Sequence, residues 1–213
     1  MTLQKPNSAQ ASEGDLAALM KDTLSKWLMG VDDMLPARVV SYDESTGMAT
    51  VKPIVMLGTT DGTKISRAPI ANIKTLRMGA GGFFIRFPIK PGDLGWIKAN
   101  DRDISLILQS KGGEDWPNTK RLHSFSDAIF IPDTFKGWAI DGAYADSMVL
   151  QSTTGASSIA LGPDFVEIKA AGQVFRLDAS GATHNGINIG ETHRHGGSPS
   201  APEGPVSDTG TPL

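Results

Sequence analysis

A chain of 213 residues with 24 glycines, 13 prolines and 39% hydrophobic residues is expected to be rich in turns and strands, and its length suits one large domain or two small ones. The net charge of −3 leaves no basic footprint for a polyanion, and residues 146–213 carry seven acids against three bases, so neither part resembles a nucleic-acid clamp. Cysteine is absent, which excludes disulfides and thiolate metal sites and leaves His, Asp and Glu as the candidate ligands.

No apolar run approaches the roughly 20 residues of a membrane span. The stretch Met1–Gly14 lacks the basic-then-apolar layout of a secretory signal. Synthesis as a soluble cytoplasmic chain is therefore expected.

Residues 1–34 read as an N-terminal extension. Residues 1–12 are polar, and from Asp15 to about Met29 the residues Leu16, Leu19, Met20, Thr23, Leu24, Trp27 and Leu28 recur at steps of three and four, which predicts an amphipathic helix ended by Gly30. A helix this short needs a surface to pack on, either its own domain or a neighbouring subunit.

Residues 35–137 read as a barrel. Ala37–Tyr42 and Met48–Met56 are extended runs joined by the turn-forming Asp43-Glu44-Ser45-Thr46-Gly47, which predicts a hairpin. Ile65–Ile70, Lys74–Met78, Phe83–Phe87, Leu94–Ala99 and Ile104–Leu108 follow as short strands between turn clusters, and Phe125–Pro132 reads as a further strand or edge. Short strands at this spacing point to a small closed barrel of OB type. Such barrels often bind oligonucleotides on exposed aromatics, but Phe83, Phe84, Phe87 and Trp96 lie in apolar runs and are assigned to the core. The Gly79–Gly82 cluster lacks the GK[ST] of a phosphate loop and reads as a turn. His123 has no partner at ligand spacing.

Over residues 138–190 the texture changes. Met148–Ser152, Ser157–Leu161, Phe165–Lys169, Val174–Asp178 and Ile187–Ile189 are very short strands separated by turn dipeptides such as Ala171-Gly172, Ser180-Gly181 and Asn185-Gly186. Each offers two or three apolar side chains on one face, too few for a core within one chain. Three identical chains about a common axis would share one, with Ile159, Leu161, Phe165 or Val166, Ile168, Phe175, Leu177, Ile187 and Ile189 turned inward. His184 is placed in the turn before Ile187, solvent-facing or structural rather than a ligand.

Residues 191–213 hold the candidate metal site, Glu191-Thr192-His193-Arg194-His195-Gly196-Gly197, and a Pro/Gly/Ser-rich tail. In an extended segment His193 and His195 project to the same side, and the alternation running through Ile187 and Ile189 brings residues 191, 193 and 195 to the inward face. Two imidazoles from each of three chains would make a closed six-nitrogen octahedron. Such a site has no open position for substrate and is structural, with Glu191 placed either to accept an imidazole N–H or to splay outward.

The helix, the OB-like barrel with Pro91-Gly92-Asp93-Leu94-Gly95 and Asp101-Arg102-Asp103-Ile104, the Gly-punctuated strands and Thr192-His193-Arg194-His195-Gly196-Gly197 together resemble the central spike proteins of contractile phage tail baseplates. The resemblance implies a homotrimer, mainly β, in which the OB domain is followed by an intertwined trimeric β-helix with a metal-bound tip. It implies one iron ion per trimer at the apex, held by His193 and His195 of each chain. A neutral six-nitrogen cage suits Fe(II), and Ni or Co would fit the same cage.

The implied role is structural and non-enzymatic: part of the virion's tail baseplate, joined to hub or baseplate proteins through the barrel and driven through the host outer membrane on sheath contraction, with no nucleic-acid partner. Two alternatives stand beside it. One is a mononuclear metal enzyme using His193 and His195, and the other is a nucleic-acid or receptor-binding module built on the barrel.

Overall fold

The computed structural model describes residues 16–59, 61–135, 138 and 141–190. The chain divides into two compact units, Met1–Phe135 and Lys136–Leu213. The helix α1, Leu16–Met29, carries one i,i+4 ion pair, Lys26 to Asp22 at 2.7 Å, and none of its residues is buried. Its apolar side chains, Leu24 and Trp27 among them, are exposed. The segment after the helix is anchored to the barrel, since the Arg67 guanidinium donates to Asp32 at 2.6 Å and the Ala99 N–H donates to the Asp33 carbonyl at 2.8 Å.

Among the described residues of the first unit nine strands follow: β1 (Met34–Asp43), β2 (Met48–Pro53), β3 (Leu57–Gly58), β4 (Lys64–Ile65), β5 (Ile70–Thr75), β6 (Met78–Ala80), β7 (Phe83–Ile85), β8 (Leu94–Asn100) and β9 (Ser124–Pro132), with the short helix α2 (Ser105–Gln109) between the last two. Five of them close a barrel in the order β1-β2-β5-β9-β8, with β8 pairing back to β1. All pairs are antiparallel except β5 with β9, and that pattern is the expected OB-type arrangement. The β1–β2 hairpin turns where the sequence predicts, because the Asp43 carboxylate accepts from the Ser45 N–H at 2.9 Å and from both following hydroxyls. Along β2 every second residue is buried, Ala49, Val51 and Pro53, as one inward face of a barrel requires. The core is small-to-large interdigitation: Ala37, Val39, Ala49, Val51, Ile73, Ile97 and Ala128 surround Phe130.

The expected strands Ile65–Ile70 and Lys74–Met78 give way to β4, β5 and β6, and Gly79 and Ala80 of the expected turn lie in β6; two further departures follow. Ile104–Leu108, read as a strand, lies mostly in α2. Asp103 is the cause: its carboxylate accepts the Ser105 N–H at 2.9 Å and opens a helical turn. Arg121 pairs with both Asp103 and Asp127 at 3.0 Å, and the Thr119 hydroxyl donates to Asp103 at 2.8 Å, so the connection is tied to β9. The Asp103 carboxyl is held far below the usual range, first by hydrogen bonds from Ser105, then by Thr119 and the Arg121 charge.

The second departure is the aromatic set. Phe83, Phe84 and Phe87 are not core residues but stand exposed, the first at 83%, on or just after the β6–β7 hairpin. Trp96 is half-buried, its indole N–H donating to Asp133 at 2.7 Å and its ring edge-on to Phe135 at 4.9 Å.

The second unit is a six-stranded antiparallel meander of β10 (Met148–Gln151), β11 (Ser157–Leu161), β12 (Phe165–Ala170), β13 (Gln173–Asp178), β14 (Gly181–His184) and β15 (Ile187–Asn188), in that order across the sheet. The strand β14 is unforeseen in the sequence: Gly-Ala-Thr-His has no apolar alternation, and it is extended because it ladders onto β13 from Asp178↔Gly181 to Phe175↔His184. The Asn185-Gly186 turn then returns the chain, both residues at positive φ (49° and 79°), the geometry that matches strand twist. Within one chain the strands thus pair through consecutive hairpins.

Gly95 shows how tightly the barrel is filled. A Cβ there would come within 2.5 Å of the Phe130 ring, at the centre of the core, and within 3.0 Å of the Ile131 carbonyl oxygen. Gly95→Ala is expected to destabilise the barrel by about 2 kcal/mol through overpacking, read as a lower denaturant midpoint with unchanged m; an unchanged midpoint would show slack around Phe130.

Candidate functional site

His193, His195 and Glu191 lie outside the described residues. What the structure does place is the sheet that leads to them. Register sorts β10–β15 into two faces of opposite character. One face carries Met148, Leu150, Ile159, Leu161, Val166, Ile168, Phe175, Leu177 and Ile187, aligned across the strands as Leu150↔Ile159↔Ile168↔Phe175 and Met148↔Leu161↔Val166↔Leu177. These side chains are exposed, from Val166 at 39% to Ile187 at 64%. Ile189 follows beside Ala182, whose carbonyl accepts its N–H at 2.9 Å.

The other face holds the charges. There the Tyr144 hydroxyl, from a single 3-10 turn at Gly142–Tyr144, donates to Glu167, which is nearly buried. Arg176 donates to Glu167 at 3.1 Å and to Asp178 at 2.8 Å, and its guanidinium lies 4.1 Å from the Phe165 ring centre, a cation–π contact. Hydrogen bonds from the Ser180 side chain and then Arg176 bring the Asp178 carboxyl down to about 2, and the hydrogen bond to Glu167 raises the Tyr144 hydroxyl above its ordinary value. On the charged face Glu167 is buried and Arg176 and Asp178 are half-buried, whereas the apolar side chains of the other face stand in water. A chain that folded for itself alone would do the reverse.

The inward-facing set expected from alternation, Ile159, Leu161, Val166, Ile168, Phe175, Leu177 and Ile187, falls on this one face. Of the two candidates Phe165 and Val166, the register selects Val166, because Phe165 is on the charged side under Arg176. His184, expected in a turn, is instead the last residue of β14 and shares the apolar face with Phe175 and Ile187. His123 also has neighbours that spacing did not reveal: its Nδ1 lies 3.7 Å from Asp101 and 3.9 Å from Asp33, brought together from three segments. Among the described residues no cluster of three or more His, Asp or Glu is arranged to hold a metal ion. None of the described helices is long and apolar enough to cross a membrane.

The candidate site is thus an open, mostly apolar sheet face. No curated protein matches the chain. Residues 35–133, nearly all of the closed barrel, match the family described as the phage protein Gp138 N-terminal domain, and this match indicates a phage protein.

Proposed function

We propose that this chain is the central spike of a contractile phage tail baseplate, a homotrimer that is carried in the virion and driven through the host outer membrane when the sheath contracts. The observation that carries this reading is the uncovered apolar face of β10–β15. Three such faces turned toward a common axis would bury each other and leave the Glu167, Arg176 and Asp178 side outward. The match of the preceding barrel to a phage domain supports the same setting. In this reading the barrel joins the spike to hub or baseplate proteins. The needle does no chemistry, and its task is to stay stiff under axial load.

His193 and His195 follow Ile187 and Ile189 at the same parity in the sequence. With three chains they supply six neutral imidazole nitrogens, a donor set that fits Fe(II) in a closed octahedron. The ion's contribution would be to pin three chain ends at the tip.

Exposure of Phe83, Phe84 and Phe87 on an OB-type barrel favours a second reading, single-strand binding by stacking. Two arginines close to these aromatics in sequence are engaged, Arg77 with the Tyr42 hydroxyl at 3.2 Å and Arg86 with Glu44 at 2.7 Å. The spike reading expects no salt-dependent oligonucleotide binding in a fluorescence titration, and binding that weakens steeply with salt would favour the second.

Two further outcomes are expected of the spike. Purified chain should have a native mass of three protomers of 22.5 kDa each and one iron per trimer by elemental analysis; a monomer or dimer, or a trimer without metal after chelator-free anaerobic preparation, contradicts the trimer and the tip respectively. Replacing Ile168 and Leu177 together by Asp should abolish the trimer while leaving the barrel's thermal transition in place, because six charges per trimer would have to be buried unpaired. Persistence of a trimer in this variant would remove the apolar face from the interface.

A further inference from the structure

One side chain breaks the apolar face of the second unit. His184 on β14 is aligned with Phe175 on β13 and with Ile187 on β15. The other residues on that face of β13, Gln173 and Leu177, are uncharged, as is Ala182 on β14. The nearest charges on the adjoining strand, Arg176 and Asp178, are on the opposite face, bound to each other and, through Arg176, to Glu167. In the paired strands β10–β15, His184 is thus the one titratable group on a face that otherwise carries none. Position, not sequence spacing, singles it out.

Resting on the trimer reading above, we propose that His184 makes assembly of the spike sensitive to pH, with neutral imidazole accepted between the apolar faces of neighbouring copies and imidazolium rejected. If those faces pack together, the group opposite each His184 comes from an identical face, whose only titratable strand residue is again His184. Protonation would therefore place up to three like charges in a surface with no carboxylate to pair them.

The sign follows from proton counting. Burial penalises the charged form, so separated chains bind protons that the assembled trimer does not, and association weakens as pH falls through the imidazole range of about 8 to 5. With three sites, each pH unit in that range raises the trimer dissociation constant by up to about 1000-fold. Asp178 on the opposite face, held down to about 2, keeps its charge throughout that range.

The test is sedimentation of the full chain over a dilution series at pH 8 and pH 5.5, for the natural sequence, His184→Gln and His184→Leu, with circular dichroism to verify that each variant is folded. Expected is a trimer for all three at pH 8, and at pH 5.5 a dissociation constant raised at least tenfold for the natural sequence only. Equal association of the natural chain at both values overturns the proposal and leaves the trimer standing. Acid dissociation of both variants to the same extent as the natural chain also overturns it, since the titrating group would then lie elsewhere, as in the His193 and His195 tail. Absence of a trimer at pH 8, where imidazole is neutral, would instead remove the spike reading on which it rests.

Discussion

Water is a poor partner for a sheet face made mostly of hydrocarbon, and this constraint governs the second half of the molecule. Fully burying a Leu, Ile, Val or Phe side chain is worth about 1.5–3 kcal/mol. The nine strand residues of the apolar face are each between roughly four- and six-tenths exposed, so covering them stands for on the order of 10 kcal/mol per chain. That is comparable with the whole stability of a typical domain, about 5–15 kcal/mol. An energy of this size, left unrealised in a six-stranded sheet, is what the proposed packing of three chains would recover.

The two units solve the burial problem differently. In the barrel the sheet closes on itself, its inward alternation fills a core around Phe130, and a carboxylate clamp at Arg121 ties down the β8–β9 connection. That unit has a complete interior within one chain. The β10–β15 meander has no second layer over its apolar face among the described residues. Its ordered packing is on the charged side, where Tyr144, Glu167, Arg176 and Asp178 satisfy one another. Folding of the barrel and assembly of the sheet are therefore expected to respond to different substitutions.

Much of this was legible in the sequence, and the reasons are local. The Asp43–Gly47 turn, the helix from Leu16 and the hairpin dipeptides Ala171-Gly172 and Asn185-Gly186 carry their own conformational instructions, and period-two alternation placed Ile159, Leu161, Ile168, Phe175 and Leu177 on one face. What escaped was set by tertiary partners. Ile104–Leu108 alternates like a strand, yet a buried Asp103 held by Thr119 and Arg121 starts a helix there. The strand Gly181–His184 exists because β13 offers it a ladder, so no pattern of its own announced it. Phe83, Phe84 and Phe87 read as core by composition, whereas the short β6–β7 hairpin pairs only with itself and leaves them in solvent. The candidate ligand pair His193 and His195 rests on spacing alone and lies outside the described residues.

The central claim is that the face bearing Ile159, Ile168, Phe175 and Leu177 is covered by other copies of the chain. Hydroxyl-radical footprinting of the native assembly reads side-chain accessibility residue by residue and addresses it directly. The account predicts strong protection of Phe175, Leu177, Ile159 and Ile168, while Phe83 and Trp116 on the first unit, both highly exposed in the single chain, remain reactive. Oxidation of Phe175 and Leu177 at rates matching those of Phe83 and Trp116 would contradict it.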